Sequence, residues 1–169
     1  MTDSRKIKHK ITTRHSGGEV PTRVYRSLIR QAIMTTLRSE GVDMLCVVNV
    51  LITDDEGIRE FNNRYRGIDK ATDVLSFPMQ VFLKAGWGRL GTAEPDEDSG
   101  ELPLGDIILS TETVKKHGRK YKNSMEKETT YMMIHSTLHL LGYDHDNNLN
   151  EKIMHNKKEL IMKEMGYFD

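Results

Sequence analysis

The sequence predicts an α+β fold, in which one small mixed four-stranded sheet packs against about five helices. Short runs rich in Val, Ile and Leu alternate with amphipathic segments of helical period over most of the chain. Segments of helical character alone then fill its last part. The length of 169 residues suits a single core, so we expect one domain over residues 1–169.

The first part of the chain predicts two strands separated by a helix. Residues 8–13 have weak strand character, whereas residues 45–53, rich in Val and Ile, predict a buried strand. Between them, Pro21 and Thr22 open a helix that runs to about Ser39, because proline is tolerated in a first helical turn.

The middle of the chain predicts a second helix, two short strands and a third helix. Asp54 is placed to cap the second helix, whose apolar residues have helical spacing. These apolar residues are Ile58, Phe61 and Tyr65. Residues 74–77 and 107–110 predict the two strands, and residues 111–121 predict a helix that is polar on most sides.

Two further helices are predicted over residues 124–141 and 148–165. Each starts at a pair that resembles a capping box, in which a small polar residue and an acidic residue three positions later satisfy backbone N–H groups. The pairs are Asn123 with Glu126 and Asn148 with Glu151.

Residues 84–98 predict a mobile excursion between strands, because glycines are followed by clustered carboxylates. Its Trp87 has two interpretations. An isolated aromatic in a Gly-rich loop is more often an anchor against the protein body, although the indole could also stack on a nucleobase.

Composition excludes several classes of function. The 25 Lys and Arg residues equal the 25 Asp and Glu residues, so an anionic partner would have to be recruited locally. The longest apolar run is too short to cross a bilayer, and the basic residues 1–13 have no apolar segment behind them. We therefore expect a cytoplasmic protein without a membrane partner.

The single cysteine, Cys46, lies in an apolar run and is expected in the core.

The segment from His135 to His145 predicts a metal centre on a helix and the turn that follows it. His135 and His139 are four residues apart and project from the same helical face. Gly142 is suited to end the helix in a left-handed conformation, and this reversal can bring His145 beside the other two imidazoles. Three neutral imidazoles suit one zinc ion and leave a fourth position for water, which is typical of catalytic sites.

The remaining histidines have no ligand spacing and are expected at the surface. They are His9, His15, His117 and His155.

Three motifs together resemble those of the YbeY family of ribosomal RNA maturation factors, which are metal-dependent endoribonucleases. They are residues 65–78, residues 105–110 and the His-rich segment, in the family's order and approximate spacing. The resemblance covers roughly residue 45 to the C-terminus. It implies a compact α+β fold, zinc held by three histidines, and cleavage of single-stranded RNA in small-subunit ribosomal RNA 3′-end maturation and ribosome quality control. The implied partners are ribosomal RNA and the ribosome or its small subunit, with no DNA expected.

Four residues match the family's functional positions: His135, His139, His145 and Arg66. The three histidines match the metal ligands, and Arg66 matches an arginine implied in phosphate binding or catalysis. One departure is Ser136, where the family usually has glycine, so close packing of that helix could differ. The acidic part of the 84–101 loop also looks long for the family.

Two rival functions share the metal motif. Metzincin-like proteases have the same histidine offsets, but they carry a glutamate general base where this chain has Ser136. A non-catalytic ribosome-assembly factor could use zinc structurally, which would normally require a fourth protein ligand such as Asp144 or Asp146.

The general base and the nucleophile stay open, since either a water or the RNA 2′-hydroxyl could attack the phosphate. Asp144 and Asp106 are candidates to orient ligand imidazoles, although turn formation is the more common use of a residue placed like Asp144. A basic run could contact RNA or simply be a solvated helix face. Its members are Lys115, Lys116, Arg119, Lys120 and Lys122.

Overall fold

The computed structural model of the protein describes residue 3 and residues 6–168, so the ends of the expected domain lie outside the described part. Its sheet has the strand order β1-β2-β4-β3. The strands are β1 Lys10–Ser16, β2 Cys46–Thr53, β3 Val74–Pro78 and β4 Leu102–Ser110. β1, β2 and β4 are parallel, and β3 pairs antiparallel with β4, which confirms a mixed four-stranded sheet.

Five α-helices accompany the sheet in the described residues, as the sequence predicted. They are α1 Arg23–Ser39, α2 Asp55–Arg66, α3 Thr111–Tyr121, α4 Met125–Leu140 and α5 Asn148–Glu164. α4 is central, because it packs against α1, α3, α5 and β3. Its buried residues occupy most faces of the helix, whereas the other helices keep a polar face in water. Among the described helices, none is both long and apolar enough to span a bilayer.

The predicted N-cap residues of α4 and α5 are each wrong by one position. The Ser124 hydroxyl accepts the Lys127 amide at the start of α4, while the Asn123 side chain donates to Glu128. At α5 the cap is Asn147, whose side chain accepts the Asn150 amide. A neighbouring small polar residue can cap equally well, so local sequence does not distinguish between them.

β4 is longer than the predicted strand over residues 107–110. Its first half was not predicted as strand because it contains Pro103 and Gly105. Gly105 has a φ of +150°, and a Cβ there would collide with the Phe77 carbonyl oxygen of the adjacent strand. The pairing of β2 with β4 shifts register opposite this point, between Val47 and Val48. Proline and glycine are ordinarily signs against a strand, and here they mark an irregularity within one.

Residues 84–98 were expected to form a mobile excursion, but much of this segment is packed against the body. Phe82 and Leu90 form an isolated antiparallel β-bridge, and a short 3-10 helix spans Trp87–Arg89. The Gly86 amide donates to the Leu141 carbonyl at 3.0 Å. The anchor interpretation of Trp87 is confirmed, because its indole N–H donates to Asp43 at 2.7 Å and its ring packs against the core.

The expectation that His9 is a surface residue is wrong, whereas Cys46 is buried as predicted. β1 begins at Lys10 rather than at residue 8, and His9 lies directly before it with 6% of its surface exposed. Its Nδ1 accepts the Cys46 amide at 3.2 Å, extending the contact between the two strands. Burial, and secondarily the charge of Arg38, lowers the pKa of His9 below its ordinary value.

This lowered pKa predicts an acid-sensitive contribution of His9 to stability. Above about pH 6.5 the imidazole is neutral in both states, but below it the unfolded chain binds the proton first, so the free energy of unfolding falls. Replacing His9 with asparagine keeps an acceptor near the Cys46 amide and removes the titration. We therefore expect His9→Asn to lose less stability than the parent between about pH 7.5 and about pH 5.5.

The measurement is urea unfolding at both pH values with a chelator present, so that metal binding does not contribute. His155→Asn, at an exposed position of α5, is the matched control and should retain the parent's pH dependence. An identical loss of stability in His9→Asn and the parent would contradict the prediction.

Candidate metal centre

The last turn of α4 and the reversal after it bring together the three histidines of the predicted motif. His135 and His139 lie on one face of α4, which ends at Leu140. Gly142 follows with a φ of +89°, and the Tyr143 amide donates back to the Leu138 carbonyl at 3.1 Å. This closure returns the chain along the helix end, as expected from the glycine.

One ring nitrogen from each of His135, His139 and His145 lies within 4.8 Å of the others. Their ring centroids are 4.5, 5.2 and 6.0 Å apart. His135 and His139 are half-buried, whereas His145 is exposed. The convergence expected from the spacing is therefore present in the structure.

A backbone carbonyl, and not a carboxylate, orients the ring of His139, which lies between the other two imidazoles. His139 Nδ1 donates to the Tyr143 carbonyl at 2.8 Å, which leaves Nε2 as the acceptor that faces the cluster. Asp106, expected as an orienting carboxylate, instead accepts from Asn49 at 3.1 Å. Asp144 accepts the His145 amide at 2.8 Å, so its main contact is within the turn. Its carboxylate is 3.9 Å from His145 Nδ1.

Burial keeps two of the imidazoles in the neutral form that metal ions bind. Desolvation, with smaller contributions from His139, Lys158 and His145, lowers the pKa of His135 to about 3. Desolvation also lowers the pKa of His139, although its bond to the Tyr143 carbonyl opposes this effect. Both rings therefore present lone pairs at neutral pH.

Arg66 lines the same cleft as the three histidines, although it is far from them in sequence. It is the last residue of α2, and Gly67 ends that helix with a φ of +69°. Arg66 Nη1 donates to Asn62 Oδ1 at 3.4 Å, and the buried Asn62 in turn donates to the Lys70 carbonyl at 2.8 Å. These contacts orient an otherwise exposed guanidinium beside the cluster.

The cleft has a volume of about 580 Å³ and is walled by β3, α4 and α5. Sequence reasoning missed two of its residues, Tyr131 and Lys158. Lys158 Nζ lies 3.3 Å from His135 Nδ1 and 4.9 Å from the centre of the Tyr131 ring. Tyr131 precedes His135 by one helical turn, which is a usable sequence signal, but Lys158 reaches the site only through the packing of α5 on α4.

Ser136, the departure from the family pattern, is fully buried and its hydroxyl has no hydrogen-bond partner. It is turned about 100° around the helix from His135. Its side chain packs into the protein rather than into the cleft.

The predicted basic run on α3 is not part of the cleft wall. Lys115 pairs with Glu19 at 2.8 Å, and Lys116 pairs with Asp55 at 2.6 Å. Lys120 lies against the Tyr121 ring. A role of this run in RNA binding stays a prediction.

The other histidines lie outside the cluster. His155 is exposed, as expected. His15 and His117 are half-buried, and they contact the Gly17 carbonyl and the Asp73 carboxylate, respectively.

Comparison with known proteins links this chain to one family. The sequence model described as Endoribonuclease YbeY matches residues 10–166, so the match begins well before residue 45, where the resemblance inferred from the motifs was expected to begin. A protein of Caldanaerobacter subterraneus named Endoribonuclease YbeY is 42% identical over 140 residues, covering 83% of this chain and 87% of the relative. One of the same name from Thermoanaerobacter sp. (strain X514) is 43% identical, covering 82% and 86%.

A solved structure supports the same fold. The solution structure of a Thermotoga maritima protein superposes with a TM-score of 0.58 and is 28% identical in sequence. The superposition covers 91% of this chain and 87% of that protein.

Proposed function

Because the chain belongs to the YbeY family of endoribonucleases, we propose that it is a zinc-dependent endoribonuclease specific for single-stranded RNA. In the cell, it matures the 3′ end of small-subunit ribosomal RNA and takes part in ribosome quality control. Its partners are ribosomal RNA and the ribosome or its small subunit, in the cytoplasm. The observation that carries the proposal is the convergence of three imidazoles in a cleft that Arg66 also lines.

The donor set fits one zinc ion. Neutral imidazole nitrogen is a preferred zinc ligand, and the lowered pKa values of His135 and His139 keep both rings deprotonated. The Tyr143 carbonyl fixes the tautomer of His139 that exposes Nε2. His145, on the turn, completes the set from the solvent side.

The mechanism divides the work between the histidines and Arg66. His135, His139 and His145 would hold the ion, which would supply Lewis acidity for negative charge at the reacting phosphate. Arg66 binds the phosphodiester through its planar guanidinium and stabilises the charge that gathers on the phosphoryl oxygens during cleavage. Both the ligand set and Arg66 favour an anionic substrate over a neutral peptide.

The protease alternative has no base in the required position. A metzincin needs a carboxylate directly after the first histidine, whereas Ser136 is buried and cannot accept a proton at neutral pH. The family match also favours RNA over peptide as substrate.

The structural-zinc alternative requires a fourth protein ligand. In the described part of the chain, the group of convergent metal-binding side chains consists of three histidines only. Of the two candidate carboxylates, Asp144 accepts the His145 amide within the turn, and Asp146 accepts from the Asn150 side chain at 2.7 Å. Three ligands leave a coordination position open, which favours catalysis.

The proposal predicts three outcomes for the purified protein. It should cleave a labelled single-stranded RNA, leave the matching duplex and casein intact, and lose activity by about 100-fold on chelation. Added zinc should restore the activity. Gel electrophoresis measures cleavage of the three substrates before and after chelation. Undiminished RNA cleavage in chelator would reject metal dependence, and casein cleavage without RNA cleavage would favour the protease.

A further inference from the structure

Lys158 is the cation nearest to the histidine cluster, yet the function proposed above gives it no role. It is contributed by α5 and lines both clefts that meet at His135. Its ammonium lies 3.3 Å from His135 Nδ1 and over the Tyr131 ring at 4.9 Å. Across the described residues, no carboxylate lies within 4.0 Å of Lys158 Nζ. Its close contacts in the described residues are therefore a ring face and an imidazole lone pair rather than a carboxylate.

The contacts of Lys158 belong to a directed chain of hydrogen bonds. An ammonium group only donates, so His135 Nδ1 accepts and the neutral ring carries its proton on Nε2. That Nε2 lies 3.1 Å from His139 Nε2, which is the acceptor because His139 Nδ1 donates to the Tyr143 carbonyl. Each donor in this chain has one matching acceptor.

The same chain is incompatible with a metal ion on the cluster. An ion bound through His135 Nε2 requires the proton on Nδ1, and Nδ1 would then face the Lys158 ammonium as a second donor. An ion bound through Nδ1 would require the position that Lys158 occupies. The positive charges of the ion and the ammonium add a repulsion to either arrangement.

We propose that Lys158 competes with the metal for His135 and, once displaced by it, binds a phosphate of the RNA. The four-carbon stem of lysine lets the ammonium move while α5 stays in place. Arg66 and Lys158 line the same cleft, so both cations can bind phosphates of one RNA backbone there. Metal loading and RNA binding are thereby coupled through one side chain. This inference rests on the proposed metal centre and RNA substrate.

The coupling predicts opposite effects of one substitution on two ligands. Lys158→Met retains the aliphatic stem and removes the charge, so zinc affinity should rise by about threefold to tenfold. Affinity of the zinc-loaded protein for a short 2′-O-methyl RNA should fall about tenfold, and the slope of its salt dependence should fall by about one. Lys158→Arg retains charge and donors, so it should restore RNA affinity to within about threefold without tightening zinc.

Zinc affinity is measured by competition with a chromogenic chelator, and RNA affinity by fluorescence anisotropy across salt concentrations. Lys163→Met removes an equal charge from an exposed position of the same helix, in a groove that none of the three histidines lines, and it should leave zinc affinity within about twofold of the parent. Thermal melting verifies folding, and Lys158→Gln serves as the second neutral variant.

Unchanged or weaker zinc binding in both neutral variants would overturn the proposal. Tighter zinc binding with unchanged RNA affinity would overturn it as well, since the displaced ammonium would then have no phosphate partner. Failure of the parent protein to bind zinc at all would instead reject the metal centre itself, and that result is distinguishable because it does not depend on Lys158.

Discussion

Replacing His139 with alanine is expected to lower zinc affinity and RNA cleavage by at least about 100-fold each. The expectation follows from the central position of this ring, whose centroid is 4.5 Å from that of His135 and 5.2 Å from that of His145. Loss of an orienting group outside the metal sphere already costs about 10- to 100-fold, so loss of a ligand should cost more. The substitution also leaves the Tyr143 carbonyl without its donor, which should lower the free energy of unfolding by about 1–3 kcal/mol.

The measurements are the zinc content of the purified variant and its initial rate on single-stranded RNA, together with a thermal melt to verify folding. His155→Ala is the matched control, since it removes an imidazole from the neighbouring cleft wall without removing a member of the cluster. The control should remain within about twofold of the parent. Equal cleavage by the parent and His139→Ala would indicate a contaminating nuclease and remove support for the proposed enzyme.

The convergence of the three histidines was predictable from sequence because its determinants are local. The spacing of His135 and His139 sets their common face in any α-helix, and Gly142 supplies the reversal that brings His145 back. No tertiary contact is needed to infer this geometry. The order of helices and strands was predictable for the same reason, since each element has its own periodicity.

The features that sequence reasoning missed depend on contacts between distant elements. His9 is buried because it lies directly before β1, which pairs with β2, and its imidazole accepts the Cys46 amide. The polar sequence around His9 gives no sign of that pairing. Lys158 similarly reaches His135 only because α5 folds back on α4. The first half of β4 was missed for a different reason, since Gly105 is required by the close approach of β3.

Arg66→Ala is expected to reduce kcat/KM for single-stranded RNA by about 100- to 1,000-fold, the range found when one donor to a developing oxyanion is removed. Arg66 lies on the wall of the cleft that contains the histidines, and its Asn62 contact orients the guanidinium. Zinc content should not change, because Arg66 is not a member of the histidine cluster. Stability should change by no more than about 0.5 kcal/mol, because the side chain is exposed at a helix end.

A loss of activity without a loss of bound zinc would distinguish Arg66 from the three proposed metal ligands. Arg64→Ala removes the same charge from an exposed position in the same helical turn, and it should retain activity to within about twofold. Arg66→Lys should recover only part of the rate, because a lysine retains the charge but loses the planar pair of donors that matches a phosphate. Full activity of Arg66→Ala would mean that Arg66 takes no part in cleavage. An equal loss in Arg64→Ala would mean that Arg66 contributes only to the general electrostatic attraction of RNA. In the second case, an ion held by the three histidines and the ammonium of Lys158 would have to stabilise the transition state in this cleft.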